Sequence, residues 1–275
     1  MVYYVNSQGL ICIKQNIQLL KKLLFLSLLY SVNSKAVEHK INLVTEHLPP
    51  YQIVGNDSYD VTGFATEIVL ETLKRSGIQY TLTGYPWVRS YNLALQKPNT
   101  CIFSIARIPL RENLFTWIGQ ITEKNNAVVW GLKSNPHAQK ITKLNDLKNY
   151  VTAVNKNDVT HLGMIANGFS EGEHLYVLKH TKSLLKILFK RPEIDFIIAD
   201  DITISYRAKL ANVDVKQLQR AYEIKVLPLD FYLACNLNTD PQLIKKLKAN
   251  LTSIHHDGFY QSTINKWRSK MPHLK

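Results

Sequence analysis

Ile41-Asn42-Leu43-Val44-Thr45, then Phe64 followed by Thr66-Glu67-Ile68-Val69-Leu70-Glu71-Thr72-Leu73-Lys74-Arg75, then Ile78-Gln79-Tyr80-Thr81-Leu82 set the architecture of this chain. The first segment alternates apolar and polar side chains, the period-two pattern of a strand. Pro49-Pro50-Tyr51 stops it, and Asn56-Asp57 and Asp60 mark a turn region. In the second segment, apolar side chains at 64, 68, 69 and 73 recur at helical spacing, and Gly77 follows as a helix stop. The third segment reads as the next strand. Strand, helix and strand in succession predict a parallel α/β sheet.

The same reading extends outward. It predicts a short helix over Arg89 to Leu95, strands over Cys101 to Ile105 and Val128 to Leu132, and a loop at Lys133-Ser134-Asn135-Pro136. A helical turn is expected at Leu144 to Leu147 and a strand at Val151 to Val154. Further on come a helix at Leu184 to Phe189 and a short buried strand at Phe196-Ile197-Ile198-Ala199. The tail from Pro241 to Trp267 reads as two amphipathic helices joined near Asp257-Gly258. No internal repeat or low-complexity segment interrupts the pattern.

Composition narrows the class. Of 275 residues, 45% are hydrophobic and 20% charged, which is ordinary for a globular protein. Lys and Arg outnumber Asp and Glu by 34 to 21, a net charge of +13. Without a basic helix, an Arg-rich run or a nucleic-acid motif, this excess reads as a solvated surface, and no nucleic-acid partner is expected.

Residues 1–36 carry Lys14, Lys21, Lys22 and Lys35 and no acid. Lys21-Lys22 precedes the apolar run Leu23 to Tyr30, and Ser34 and Ala36 are small residues spaced as an export cleavage site requires. That run is short for a bilayer span. Residues 1–36 are therefore read as a signal peptide cleaved near Ala36, with a periplasmic mature chain. Cleavage leaves two cysteines, Cys101 and Cys235. Export permits a disulfide, but both lie in apolar strand-like runs, and buried free thiols are the expectation. No CxxC and no zinc-spaced His/Cys set occurs, and the adjacent His255 and His256 would point about 100° apart on a helix. Neither a cofactor nor a metal is expected.

The order of landmarks resembles the bacterial extracellular solute-binding proteins of the amino-acid type, family 3. The landmarks are Pro49-Pro50-Tyr51 after the first strand, Gly63-Phe64 with Glu67, and Pro86-Trp87-Val88-Arg89. Then come Ala106-Arg107-Ile108-Pro109-Leu110-Arg111-Glu112 with Phe115-Thr116-Trp117, and Asn145-Asp146-Leu147-Lys148. Asp195-Phe196-Ile197-Ile198-Ala199-Asp200, Asp257-Gly258-Phe259-Tyr260 and Lys266-Trp267 complete the series. The resemblance runs from about Ile41 to Trp267. It implies a two-lobed periplasmic-binding-protein-like α/β fold of type II with two hinge crossovers. Lobe one would take residues 37–126 and 229–275, lobe two 127–228, with crossovers at Lys124-Asn125-Asn126 and Pro228-Leu229. A monomer is expected that closes on a small polar ligand, an amino acid or related compound, for an ABC permease in the inner membrane.

The resemblance also nominates residues. In the family, the Arg closing a Thr-x-x-Arg stretch holds the ligand carboxylate; here that is Arg111, with Ile108 at the Thr position. A guanidinium fork suits this role because it gives two parallel charge-assisted bonds; the alternative is an ion pair with Glu112. Asp200 aligns with the family acid that accepts from an α-ammonium group, and it follows a buried strand, where open α/β sheets place ligands. Its neighbour Asp201 would cap the next helix. Tyr51, Trp87 and Arg89 are expected at the cleft wall, where aromatic faces meet cations. Arg107 would read a second anionic group or stay solvated, and Ser104 would donate to a carboxylate. Glu67 is expected to be structural. Asn155 and Thr160 flank a loop before a helix whose first amides would hold an anion. Thr100 stands where many members carry Asp, and Asn155-Lys156-Asn157-Asp158 lacks a glycine often found there, so ligand identity is not carried over.

Two alternatives belong to other classes. Cyclohexadienyl dehydratases are enzymes related to these binding proteins, and Glu171, Glu173 and His174 would offer an acid or base. No GxSxG, metal set or nucleotide loop accompanies them, and the chain is read as a binding protein, not an enzyme. The other alternative is a ligand sensor for a signalling partner.

Overall fold

The computed structural model describes residues 40–179 and 184–270, and the export signal read at residues 1–36 lies outside them. Among the described residues no helix is long and apolar enough to cross a membrane.

The strands are β1 (Lys40–Thr45), β2 (Ile53–Val54), β3 (Val61–Thr62), β4 (Gln79–Gly84), β5 (Thr100–Ala106) and β6 (Thr116–Gln120). They continue as β7 (Asn126–Leu132), β8 (Thr152–Asn155), β9 (Leu175–Leu178), β10 (Phe196–Ala199), β11 (Leu218–Pro228) and β12 (Phe231–Cys235). Two five-stranded sheets result, ordered β4-β1-β5-β12-β6 and β11-β7-β10-β8-β9, with β2 and β3 as a separate hairpin.

In the first lobe, β1 is the parallel neighbour of both β4 and β5, so Leu43 registers with Leu82 on one side and Cys101 on the other. The helix Phe64–Ser76 crosses between β1 and β4, burying Phe64, Ile68, Val69 and Leu73 as its periodicity predicts. Gly77 ends it at φ 65, a left-handed conformation that costs glycine nothing. Its outer side packs on the tail helices Pro241–His256 and Phe259–Ser269. Glu67 is structural: it accepts from Lys266 Nζ at 2.9 Å and from Trp267 Nε1 at 3.1 Å. The helix Trp87–Gln96 packs against β1 and β5.

In the second lobe, β8 runs parallel to β10 and β9, while β7 is antiparallel to β10 and β11. The chain passes from the first sheet to the second between Gln120 and Asn126 and returns between Pro228 and Phe231. These passages are laced together: Leu229 N donates to Asn125 O at 2.7 Å, Ile121 N to Phe231 O at 2.9 Å, and Phe231 N to Thr122 Oγ1 at 2.8 Å. Among the described residues two short, paired connections join the sheets, and they make the hinge of a two-lobed α/β fold of the periplasmic-binding-protein type.

The cysteines correct the expectation of free thiols. Cys101 and Cys235 form a disulfide across a sequence separation of 134. The return strand β12 lies antiparallel to β5 with Cys235 directly opposite Cys101. Each run looked like an apolar strand by itself; only their adjacency, which follows from the return of the chain, brings the sulfurs together.

Candidate functional site

Four strands end at one cleft between the lobes. β1 delivers Glu46, β5 leads through the 3-10 turn Pro109–Leu114 to Arg111, β8 leads to Asp158, and β10 delivers Asp200. Open α/β sheets gather ligands at the carboxyl ends of their strands, where loops converge and backbone groups are unspent. Trp87, Ser104, Thr160 and Arg207 also line the cleft.

Arg111 is 2% exposed. Its guanidinium lies 5.0 Å from the Trp87 ring and 5.3 Å from the Tyr91 ring. Nη1 donates to Ala106 O and Nη2 to Asn157 O, each at 3.2 Å. Burial holds its pKa below the usual arginine range, and the nearby Tyr91, Asp158 and Glu46 oppose that shift. Two of five N–H donors are thus spent on backbone carbonyls. Arg111 does not pair with Glu112, which is taken by Arg107.

The Asn157 carbonyl is a meeting point of the lobes. It accepts Arg111 Nη2 and also Trp87 Nε1, the latter at 2.8 Å. Asn157 has φ 61, the left-handed region that Asn tolerates better than most side chains. Its own N–H donates to His161 Nδ1 at 3.1 Å, leaving His161 Nε2 to donate to Glu171 Oε1 at 3.0 Å. The buried imidazole therefore fixes the loop that presents this carbonyl.

The acids come from both lobes. Asp200 caps the helix Asp201–Leu210, accepting from Thr203 N and Thr203 Oγ1, each at 2.7 Å. Asp201, expected as the cap, instead pairs with Arg220 at 3.3 Å. Asp158 caps the helix Val159–Ala166, with Oδ1 accepting from His161 N at 2.8 Å and Thr160 Oγ1 at 2.7 Å. That corrects the expected anion site at this helix start. The protein's own carboxylate already occupies the first turn, and the Thr160 hydroxyl is turned to it. Burial raises the pKa of Asp158 and of Asp200. Glu46 is pushed up to about 8, first by burial and then by the charge of Asp158. Arg207, like Arg111, is lowered by burial. The cleft thus sets three acids against two arginines.

Three buried polar atoms without a hydrogen-bond partner belong to residues of the cleft lining: Arg111 Nε, Arg207 Nε and Asn155 Oδ1. A fourth, Gln52 Nε2, belongs to the side chain whose Oε1 accepts from Ser104 Oγ of that lining at 2.6 Å. Buried polar groups are nearly always paired, so a cluster of unpaired ones marks a surface built for an incoming partner.

Two expected wall residues, Tyr51 and Arg89, lie elsewhere, and Arg107 takes the solvated one of its two expected places. Arg107 is 41% exposed, pairs with Glu112 and lies 5.3 Å from the Trp117 ring. Arg89 is exposed and stacks on Tyr85 at 4.0 Å. Neither lines the cleft. Tyr51 is 1% exposed and sits behind it, lining a small apolar cavity with Phe64 and Trp267. The Tyr51 hydroxyl accepts from Asn125 of the hinge at 3.3 Å and lies close enough to Asp200 to lower the carboxyl's pKa by hydrogen bonding. Tyr51 thus links hinge and cleft without forming the wall. Glu171, Glu173 and His174 are likewise outside the cleft lining. Among the described residues no group of three or more His, Cys, Asp or Glu side chains could hold a metal ion.

Sequence reasoning missed Glu46, Asp158 and Arg207. The first two were readable as residues just past strand ends. Arg207 lies seven residues after Asp200, two helical turns on, so it shares a helix face with the cap.

No protein-family model and no curated protein matches this sequence. Solved structures match its fold. A histidine kinase sensor domain with similarity to periplasmic binding proteins superposes with TM-score 0.71 at 15% identity, covering 84% of this chain and 96% of that one. The arginine-, lysine-, histidine-binding protein ArtJ from Geobacillus stearothermophilus gives 0.70 at 19% identity, covering 86% and 97%. The GluR0 ligand-binding core from Nostoc punctiforme, in complex with L-glutamate, gives 0.67 at 16%, covering 82% and 98%. At such identities the likeness establishes the two-lobed binding-protein fold.

Proposed function

We propose that this chain is an exported solute-binding protein. It closes two lobes, 37–126 with 229–275 and 127–228, on an amino acid or related small zwitterion, and as a monomer it hands that ligand to an ABC permease. The observation that carries this reading is the convergence of opposite charges from both lobes on one cleft, with the Nε atoms of Arg111 and Arg207 buried and unpartnered. Arg111 offers its remaining donors to a carboxylate, while Asp200 and Glu46 face an ammonium group. A ligand carrying both charges satisfies groups on both lobes and so favours closure, because unpaired buried charges are costly. ArtJ and the GluR0 core, whose names record amino-acid ligands, support the ligand class.

The test is a thermal-shift screen of the protein against amino acids, polyamines, organic acids and sugars, since a ligand that binds only the native state raises its midpoint. A shift with an amino-acid class, lost in Arg111→Ala by at least roughly tenfold in affinity, is the expected result. Undiminished affinity in Arg111→Ala removes the site. The likeness to a kinase sensor domain favours one second reading, in which the same closure feeds a signalling partner; binding is identical, and a co-purifying permease or kinase separates the two.

A further inference from the structure

The charged cleft is only the inner of two connected chambers. An outer chamber shares Glu46, His47, Trp87 and Asn155 with the inner one. These four residues form the throat between them. One wall of the outer chamber is apolar: Val54 from the β2–β3 hairpin, then Tyr85, Pro86, Trp87 and Val88. The hairpin is held down onto this wall, with Gly84 N donating to Ser58 O at 2.7 Å. Glycine at 84 is what permits this closeness, since a Cβ there would sit 2.4 Å from Val54 Cγ2. The opposite side carries Lys156 and Lys179. They occupy adjacent ends of β8 and β9, because Lys156 N donates to Leu178 O at 2.9 Å. Lys156 is shared with Glu171 at 3.7 Å.

The two chambers differ in charge balance. The inner one has three acids against two arginines, and the outer one shares Glu46 and adds Lys156 and Lys179 beyond an apolar wall. At the throat, Asn155 Oδ1 is a buried acceptor with no donor. A lone amino acid places both of its charges in the inner chamber and leaves the throat acceptor and the outer wall unused.

The geometry points to a peptide-type ligand of two residues, bound with its ammonium end inside and its carboxylate end outside. This assignment rests on the ligand-binding reading of the same cleft. The ammonium group meets Asp200 and Glu46. In this arrangement Arg111, which would meet the carboxylate of a single amino acid, donates through Nε to the peptide carbonyl instead, and the peptide N–H donates to Asn155 Oδ1. The second side chain, apolar, lies along Trp87, Tyr85 and Val54, and the terminal carboxylate reaches Lys156 and Lys179. Arg111 Nε of the inner chamber and Asn155 Oδ1 of the throat then each have a partner of the right polarity.

Isothermal titration with glycyl dipeptides ending in alanine, valine, leucine or phenylalanine, their C-terminal amides, and the free amino acids tests this. At least one dipeptide should bind ten or more times tighter than either constituent amino acid, and amidation should weaken it several-fold. Lys179→Glu, an exposed change that leaves the thermal midpoint in place, should weaken the dipeptide severalfold and leave any single amino acid unaffected. Asn155→Asp would sharpen the result, since it keeps an acceptor where Asn155→Leu removes it and should lose binding. Dipeptides that bind no better than single amino acids overturn the proposal, as does indifference to Lys179→Glu. In either case, single amino acids whose binding is lost in Asp200→Ala would keep the cleft reading intact. Absence of binding by every probe would remove both.

Discussion

The two lobes build their halves of the cleft by opposite means. In the first lobe the binding group is free of structural duty: Arg111 is clasped by two aromatic rings and two backbone carbonyls, and it caps nothing. In the second lobe both acids are helix caps, Asp158 for one helix and Asp200 for the next. The first lobe is stapled by Cys101–Cys235, whereas the described residues of the second carry no cysteine. The covalent staple thus lies in one lobe, while the other spends its cap residues on the cleft. The largest expected effect tests the staple. Replacing both cysteines by serine reopens a loop of 134 residues' separation, for which chain entropy predicts a loss of about 5 kcal/mol. Denaturant unfolding should show that loss with ligand affinity nearly unchanged at low denaturant. A loss below about 1 kcal/mol would mean that β12 is held by its strand pairing alone.

The second contrast separates capping from binding. Asp200→Ala should remove a cap, costing about 1 kcal/mol, and should also weaken an ammonium-bearing ligand. Asp200→Asn keeps an N-cap oxygen but loses the charge, so the thermal midpoint should be largely restored. Affinity should remain about ten- to a hundredfold down, the value of a hydrogen bond to a charged group. If Asn restores both, Asp200 is a cap and nothing more. Arg111→Ala should also lose affinity, but its midpoint should fall through lost packing on Trp87 and Tyr91 and not through a helix cap.

How much of this was legible in the sequence follows from the range of each cause. The helix Phe64–Ser76 was readable because its apolar spacing and its Gly77 stop are local. Arg111 and Asp200 were nominated by motif resemblance and by position after a strand, and both side chains line the cleft. The disulfide was not, since it depends on β12 returning beside β5. Thr160 lines the cleft, but the anion site expected at its helix start is filled by Asp158, because a helix start looks open until the Asp before it is seen to fold back. Arg89 was misplaced, and for Arg107 two places stayed open, for a similar reason: sequence gives an arginine near the cleft but not the direction of its side chain.

Glu46 gives an effect of intermediate size that depends on pH. Its carboxyl is raised from 4.5 to about 8 by burial and by Asp158. The folded state therefore holds a proton that the unfolded chain has released, and between those values stability falls as pH rises. Glu46→Gln should flatten that slope. An ammonium group bound beside Glu46 would favour the ionised form and expel the proton, so ligand affinity should rise towards pH 8, by up to about tenfold per pH unit. Titration calorimetry in buffers of different ionisation enthalpy reads the released proton directly. Equal apparent heats in all buffers would show that the ligand leaves Glu46 protonated.

The smallest expected effect tests what distinguishes the two arginines that flank Ile108-Pro109-Leu110. Arg107 and Arg111 lie four residues apart, yet hydrogen bonding to Glu112 raises the pKa of the first while burial lowers that of the second. The side chain of Arg107 is 41% exposed and its partner Glu112 45%, so the pair is screened by solvent and contributes little to stability. Arg107→Ala should leave ligand affinity within about twofold and stability within about 0.5 kcal/mol. Its stacking on Trp117 and Tyr232 is the only interaction that would make the loss larger, through packing and not through charge. Arg107→Gln, which keeps part of the stem and loses the charge, distinguishes these: a ligand affinity that falls in Gln as much as in Ala would place Arg107 in the field of the cleft, and would require the ligand to extend beyond the lining drawn above.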